Sequence, residues 1–291
     1  MLEVELQVKV EDTRSASSIG WAYFRLPPFS PVAIKILRLL NEENDHAEEL
    51  SRLIASDQAF ASAVLTIANS ALYAHCFPVT DILRAIHRIG QRKLQGLCMS
   101  VAMMTLLSKQ AHSSTVRNLW AHNLACGHIA EMLAAGAGVN HSSAFTCGLL
   151  HDIGRLAMCV LQPKKYGRIL ESHHGMPVSM LQHEMDLFGF DHCDAGCELV
   201  RSLMLPTLFD RVIKSHHWPA RSGGEWGLGD LVAASCRIAD SVGFSAFRGC
   251  EGTPYAELIC ELPAKLQARL DPEVEVVALE IRGLIKMLRI V

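Results

Sequence analysis

The segment GLLHDIGRL, residues 148–156, places an imidazole and a carboxylate side by side at the end of an apolar run. Burying an unpaired carboxylate costs several kcal/mol, which is comparable to the net stability of a whole domain. Asp152 therefore needs a partner, and the candidates are an arginine, a set of backbone N–H groups or a metal ion. We expect a metal ion rather than a protein cation, because more histidines and another acid lie on other predicted helices.

These candidate ligands fall near predicted helix ends or short loops. They are His122, His151, Asp152, His192, His216, His217 and Asp240. Side chains from facing helices converge in the core of a helical bundle, so residues far apart in the chain can share one site. Imidazoles with carboxylates suit a divalent transition metal, and iron, manganese, zinc and nickel all remain open, as one ion or two. Such a metal can activate water for attack on phosphorus.

Helical periodicity runs through nearly the whole chain after residue 30. In the second half it predicts helices over 115–135, 142–160, 178–187, 192–203, 207–216 and 229–242. A final amphipathic helix is predicted over 271–288, and alternating apolar residues at 2–10 predict a short strand. The expected fold class is all-α, a two-lobed helical bundle with a C-terminal helix that packs on one lobe.

These elements suggest four regions. A strand-like extension covers 1–19, a helical lobe covers 20–110, a second helical lobe with the metal site covers 111–245, and a helical extension covers 246–291. Whether the strand-like extension pairs across a homodimer is left open.

The composition argues against several classes of partner. The net charge is -3 and the pI about 6.5, so no basic surplus points to nucleic acid. No apolar run reaches the roughly 18 residues of a membrane span, and the N-terminus has no secretory pattern. The ten cysteines contain no CxxC pair and are expected to be reduced, mostly buried thiols of a cytoplasmic protein.

The order of the motifs resembles a known superfamily. His, then His-Asp, then Asp is similar to the signature of HD-domain metal-dependent phosphohydrolases. The HDIG form with extra histidines resembles the HD-GYP branch, which binds two or three metals and cleaves cyclic di-GMP. The first half narrows the resemblance to HDOD domains, on the segments LPPFSPVAIKILRLLN, IASDQAFASAVLTIANSALY and FPVTDILRAIHRIG. The segments LWAHN, GLLHDIGRL and FGFDHCDAG continue it, so that it covers roughly residues 20–240.

HDOD domains are helical modules of bacterial signalling proteins, and many lack the full ligand set that this chain keeps. The resemblance implies one metal on His122, His151, Asp152 and Asp240. It implies a second metal on His192, His216 and His217, with Asp152 as the bridge.

Three features depart from the HD-GYP pattern and count against cyclic di-GMP hydrolysis. Arg155 replaces a lysine and Asn118 replaces a glutamate. WPARSGGEWG stands where a GYP tripeptide would follow.

Three functions follow from these residues and this resemblance. The first is a signalling or regulatory module that binds metal and acts through protein partners. The second is a metal-dependent phosphohydrolase for a nucleotide or cyclic dinucleotide. In it Asp152 and Arg155 would be catalytic, and Arg155 and Lys214 would hold the phosphate. The third is a metal- or redox-responsive regulator in which iron and Cys193 sense oxidation.

Overall fold

The computed structural model describes residues 30–41, 46–70, 77–106, 114–172, 177–203, 205–218, 225–246, 253–270 and 273–287. Every regular element in these ranges is a helix, so the predicted all-α fold class is confirmed. The predicted strand at 2–10 and the expected helix start at Asp271 lie outside the described residues. The division of the chain into four regions stays a prediction.

Five helices form the first half of the described chain. They are α1 (Pro31–Asn41), α2 (Ala47–Ala55), α3 (Gln58–Ala68), α4 (Ile82–Ile89) and α5 (Gln91–Leu106).

The second half holds the helices that carry the candidate ligands, followed by three helices near the C-terminus. They are α6 (Ser114–Ala137), α7 (His141–Leu150), α8 (Ile153–Leu161), α9 (Pro163–Ser172), α10 (Pro177–Phe188), α11 (His192–Ser202), α12 (Thr207–Ser215), α13 (Leu228–Ser241), α14 (Tyr255–Glu261), α15 (Ala264–Gln267) and α16 (Val274–Met287).

Short polar side chains set where several helices begin. The carboxylates of Asp57, Asp81 and Asp191 accept backbone N–H bonds at the starts of α3, α4 and α11. The side-chain oxygen of Asn140 does the same for α7. Each such cap satisfies an N–H group that has no partner within the helix. The cap at Asp191 makes His192 the first residue of α11.

One continuous apolar core joins the two halves. The long helix α6 is central, because α7 and α13 pack along it and α5 packs on α7 from the first half. The C-terminal helix α16 contacts both α6 and α3. The expectation that it packs on one lobe is therefore wrong, since it bridges the two halves.

The predicted helix over 142–160 is interrupted in the structure. Asp152 has φ -105° and ψ 20°, outside the helical range, and a two-residue turn at His151 and Asp152 separates α7 from α8. Taken together, residues 141–161 are long and apolar enough to cross a membrane, but 89% of their most apolar window is buried inside the protein. The stretch thus has the character of a central core helix that carries the HD pair at its break.

Candidate metal centre

Four buried histidines reach one region from different elements. His122 lies within α6, and His151 follows α7. His192 opens α11, and His216 follows α12. None of the four is more than 2% exposed. His217 is the partly exposed neighbour of His216, and the two rings lie 3.9 Å apart between centroids.

Each of the four buried imidazoles is held at its Nδ1 atom. Nδ1 of His122, His151 and His216 lies 2.7 Å from the carbonyl oxygens of Phe244, Gly148 and Ile213 respectively. A carbonyl oxygen can only accept, so Nδ1 carries the proton and donates it. His192 Nδ1 lies 2.6 Å from Glu184 Oε2, which also accepts the backbone N–H of His192. This orientation is typical of metal-binding histidines, whose Nε2 lone pair is left for the metal.

The Nε2 atoms face other electron pairs rather than donors. His192 Nε2 lies 3.0 Å from His217 Nε2 and 3.2 Å from Asp152 Oδ1. His216 Nε2 lies 3.4 Å from the same Asp152 oxygen. Nε2 of His151 and of His216 makes no hydrogen bond to any residue that the structure describes. Facing lone pairs repel each other unless a proton or a metal ion lies between them.

Three overlapping groups in the described residues have ligand atoms within 4.8 Å of one another. The first is the central cluster of His151, Asp152 and His216. The second is the histidine-rich group of His192, Cys193, His216 and His217. The third is the cysteine group of His122, Cys126, His151 and Cys236. The groups share His151 and His216, so they form one continuous line of candidate ligands through the core.

Asp152 also has a protein cation as a partner. Arg155 Nε donates to Asp152 Oδ2 at 2.7 Å, and Arg155 Nη1 lies 3.2 Å from Glu184 Oε1. The Tyr166 hydroxyl donates to that glutamate oxygen at 2.6 Å. The expectation that a metal rather than a protein cation pairs with Asp152 is thus corrected: Oδ2 binds Arg155, and Oδ1 faces His192 and His216.

The charges of this network follow from its contacts. Burial alone would raise the pKa of Asp152, but Arg155, His151 and His192 outweigh it and hold the pKa well below its usual range. Burial on its own would lower the pKa of His216, yet the sulfur of Cys193 and the carboxylate of Asp152 raise it to about 10.

Glycines let the helices that carry the ligands touch at the backbone. A Cβ atom on Gly154 would lie 2.6 Å from the backbone nitrogen of Gly196 and nearer still to the carbonyl oxygen of His192. A Cβ atom on Gly148 would lie 2.6 Å from the carbonyl oxygen of Cys126. The glycine of the HDIG segment thus has a packing role, since it brings α8 against the first turn of α11.

The remaining predicted site residues occupy different surroundings. Asp240 Oδ1 lies 3.5 Å from His122 Nδ1, the atom that already donates to Phe244, and the three ligand groups do not include Asp240. Burial, reinforced by the sulfur of Cys236, raises the pKa of Asp240 to about 7. Its role as a ligand stays a prediction, and the geometry favours an outer position behind His122.

The two predicted phosphate contacts are engaged with protein carboxylates. Arg155 is 1% exposed and pairs with Asp152 and Glu184. Lys214 pairs with Asp194 on the surface. This geometry gives Arg155 a structural role between two carboxylates, while substrate binding by Lys214 stays a prediction.

Sequence reasoning missed Cys126, Cys236, Glu184 and Tyr166. Cys126 lies one helical turn after His122, and Cys236 lies one turn before Asp240. This spacing was a usable signal, because residues four apart share a helix face. Glu184 lies eight residues before His192 on a separate helix, so only the fold reveals that they touch.

The comparison with known families identifies one family. A family model for the HDOD domain matches residues 26–219. The chain belongs to the HDOD domain family. The resemblance inferred from its motifs is confirmed.

A curated relative and two crystal structures illustrate the family. An uncharacterized protein of Treponema pallidum (strain Nichols) is 26% identical over 216 residues, covering 73% of this chain and 41% of the relative. The chain thus spans less than half the length of that relative. An HDOD domain protein of unknown function from Geobacter sulfurreducens has a TM-score of 0.64 at 21% identity, covering 94% of this chain and 95% of that one. A protein from Shewanella amazonensis SB2B, provisionally named a phosphohydrolase, has a TM-score of 0.66 at 20% identity, covering 95% and 98%.

Proposed function

We propose that this HDOD protein is a metal-binding regulatory module of bacterial signal transduction that acts through protein partners. One observation carries the proposal: the buried imidazoles of His192 and His216, each held at Nδ1, turn their Nε2 atoms to Asp152 Oδ1 at 3.2 and 3.4 Å. His151, also held at Nδ1, places its Nε2 atom 3.7 Å from the other oxygen of Asp152. The donor set fits one or two divalent transition ions, with iron, manganese, zinc and nickel as the candidates.

Regulation is favoured over catalysis by the burial of the ligands. His151, Asp152, His192 and His216 are at most 3% exposed, so a phosphate ester would reach them only after the helices move. The residue expected to hold that phosphate, Arg155, is already bound to two carboxylates. A metal at this site would instead connect the α7–α8 junction with α11 and α12. Metal binding stabilises the folded arrangement of the elements that supply its ligands. Protein partners would recognise that arrangement.

A cytoplasmic location is part of this proposal. No cysteine within the described ranges forms a disulfide, which fits a reducing compartment.

The alternative is a metal-dependent phosphohydrolase acting on a nucleotide or cyclic dinucleotide. Its support is the partly exposed His217 at the rim of the site and the fold shared with the Shewanella amazonensis protein. Burial and the imidazoles of His216 and His192 lower the pKa of His217 far below its usual value, so it stays neutral and able to bind metal. Within this alternative, Arg155 would position Asp152 rather than contact substrate.

Metal content measured by plasma mass spectrometry on untagged protein, purified without chelator, tests the proposal. We expect one or two equivalents of a transition metal in the wild type and a clear loss in Asp152→Asn, which keeps the shape and a hydrogen-bond acceptor for Arg155. Asp186→Ala, on an exposed part of α10, is the control and should keep its metal. Full metal content in Asp152→Asn would refute the proposed site.

A turnover assay on the same samples separates the two functions. The metal-loaded wild type should not hydrolyse nucleotides or cyclic dinucleotides if it is a regulator. Metal-dependent hydrolysis that disappears in Asp152→Asn would establish the phosphohydrolase alternative instead.

A further inference from the structure

The cysteine group lies beside the central cluster and offers a different kind of donor. His122 and Cys126 lie one turn apart on α6, Cys236 lies on α13, and His151 approaches from the end of α7. We propose that these four side chains form a zinc site with two thiolate and two imidazole ligands. This site does not rest on the proposed function, because neither cysteine takes part in it.

The spacing of the ligand atoms suits a tetrahedral zinc ion. With Zn–S bonds of about 2.3 Å and Zn–N bonds of about 2.0 Å, tetrahedral geometry places sulfur and nitrogen ligands about 3.5 Å apart. His122 Nε2 lies 3.5 Å from Cys126 Sγ and 3.4 Å from Cys236 Sγ. These two separations therefore match those around a bound zinc ion, and all four ligand atoms lie within 4.8 Å of one another.

Both imidazoles of the group are oriented for a metal. His122 donates from Nδ1 to the carbonyl oxygen of Phe244, and His151 donates from Nδ1 to that of Gly148. The Nε2 lone pair of His122 consequently faces both sulfur atoms, and that of His151 is left available for a metal. The Phe244 carbonyl oxygen is thus the outer partner that orients His122, and Asp240 Oδ1 lies 3.5 Å from the same Nδ1 atom.

The charge balance favours zinc at this position. Two thiolates neutralise a divalent cation, which lowers the cost of placing it where His122, Cys126 and His151 are at most 1% exposed. The carboxylate of Asp152, by comparison, already shares its charge with Arg155. A soft, charge-neutralising donor pair selects zinc over the hard divalent ions that prefer oxygen.

Backbone packing places Cys126 next to the end of α7. The Cβ atom of an alanine at Gly148 would lie 2.6 Å from the carbonyl oxygen of Cys126 and 2.8 Å from the Cα atom of Gly127. Helices α6 and α7 thus approach at backbone distance three residues before His151. This approach is what brings a ligand from α7 within reach of the cysteine on α6.

The shared histidine couples the cysteine group to the central cluster. His151 has one Nε2 lone pair, so it binds either zinc together with the cysteines or a metal together with Asp152. Zinc in the cysteine group therefore leaves the other metal to Asp152, His192, His216 and His217.

Cobalt(II), added to reduced, metal-free full-length protein, tests the site. Thiolate-bound cobalt gives a strong charge-transfer absorption in the near ultraviolet, and zinc should displace it. We expect this band in the wild type, in Asp152→Asn and in Cys193→Ala, and its loss in Cys126→Ala and in Cys236→Ala. Cys98→Ala removes a buried thiol that belongs to none of the three ligand groups and should keep the band.

X-ray absorption on zinc-loaded wild type gives a result that does not depend on whether a variant folds. With one equivalent of zinc bound we expect two sulfur neighbours at about 2.3 Å and two nitrogen neighbours, and with two equivalents an average of about one sulfur per zinc. Only nitrogen and oxygen neighbours, or a cobalt band that is lost in Cys193→Ala and kept without Cys126 and Cys236, would overturn the site. Failure of the proposed function would appear separately, as unchanged metal content in Asp152→Asn.

Discussion

Replacing Gly154 with alanine should damage both the fold and the metal centre. A Cβ atom there would lie 2.6 Å from the backbone nitrogen of Gly196 and closer to the carbonyl oxygen of His192, whereas real Cβ atoms essentially never approach below 3.0 Å. The nitrogen contact alone requires α8 and α11 to separate by about 0.4 Å, and the oxygen contact requires more. Both neighbours are backbone atoms, so no side-chain rotation relieves the overlap.

The size of the effect follows from that separation. Overpacking a core typically costs about 1–3 kcal/mol, and we expect Gly154→Ala at or above the upper end because two backbones must part. Asp152 Oδ1 and His192 Nε2 are now 3.2 Å apart. Metal–ligand distances tolerate changes of only about 0.2 Å, so a displacement of about 0.4 Å or more should weaken metal binding by roughly tenfold or more.

Urea unfolding followed by circular dichroism, with metal titration of the folded protein, measures both effects. Gly167→Ala is the matched control, because that glycine lies inside α9 and a Cβ atom there meets nothing within 4 Å. The control should be neutral or gain up to about 1 kcal/mol, as expected for alanine within a helix. If Gly154→Ala unfolded at the same urea concentration as the wild type and bound metal equally well, the packing argument would be refuted.

Three further substitutions test the surrounding network. Tyr166→Phe removes the hydroxyl that donates to Glu184 at 2.6 Å and should lower the free energy of unfolding by about 1.5–3 kcal/mol in urea denaturation. Glu184→Gln weakens the support of His192 Nδ1 and should reduce metal affinity by roughly 10–100-fold in a metal titration; unchanged affinity would contradict that support. Glu131→Gln leaves the ammonium group of Lys93, which is 1% exposed, without its carboxylate at 2.6 Å. It should destabilise the protein by about 3–5 kcal/mol in thermal or urea unfolding, with Glu257→Gln, at an exposed position of α14, as an unaffected control.

The sequence predicted the candidate ligands that stand out chemically and missed those that look like ordinary core residues. His122, His151, His192 and His216 are brought together as their order suggested. Cys126, by contrast, is fully buried, and a buried thiol cannot be distinguished by its chemistry from other small hydrophobic residues of a core. Only its distance from His122 distinguishes it from other buried cysteines.

The sequence pattern also predicted some helix boundaries wrongly. Residues 142–160 read as one helix because apolar side chains continue on all sides of both α7 and α8. The break arises because the backbone of Asp152 leaves the helical conformation, and the spacing of apolar residues does not predict this. Helix α9 was missed because its exposed lysines at 164 and 165 and its opening Pro163 resemble a loop.

The dual pairing of Asp152 would explain how the proposed metal site serves the proposed regulation. A structural zinc site usually holds its domain together, so loss of the metal unfolds it. Here Arg155 already compensates one oxygen of Asp152, and Glu184 completes the network from α10. The buried charge therefore has a partner whether or not a metal is bound to the other oxygen. We expect the helical fold to persist when metal is removed, while the α7–α8 junction, α11 and α12 lose their common ligand. A signalling partner could then distinguish two folded states of the protein, one with the metal and one without it.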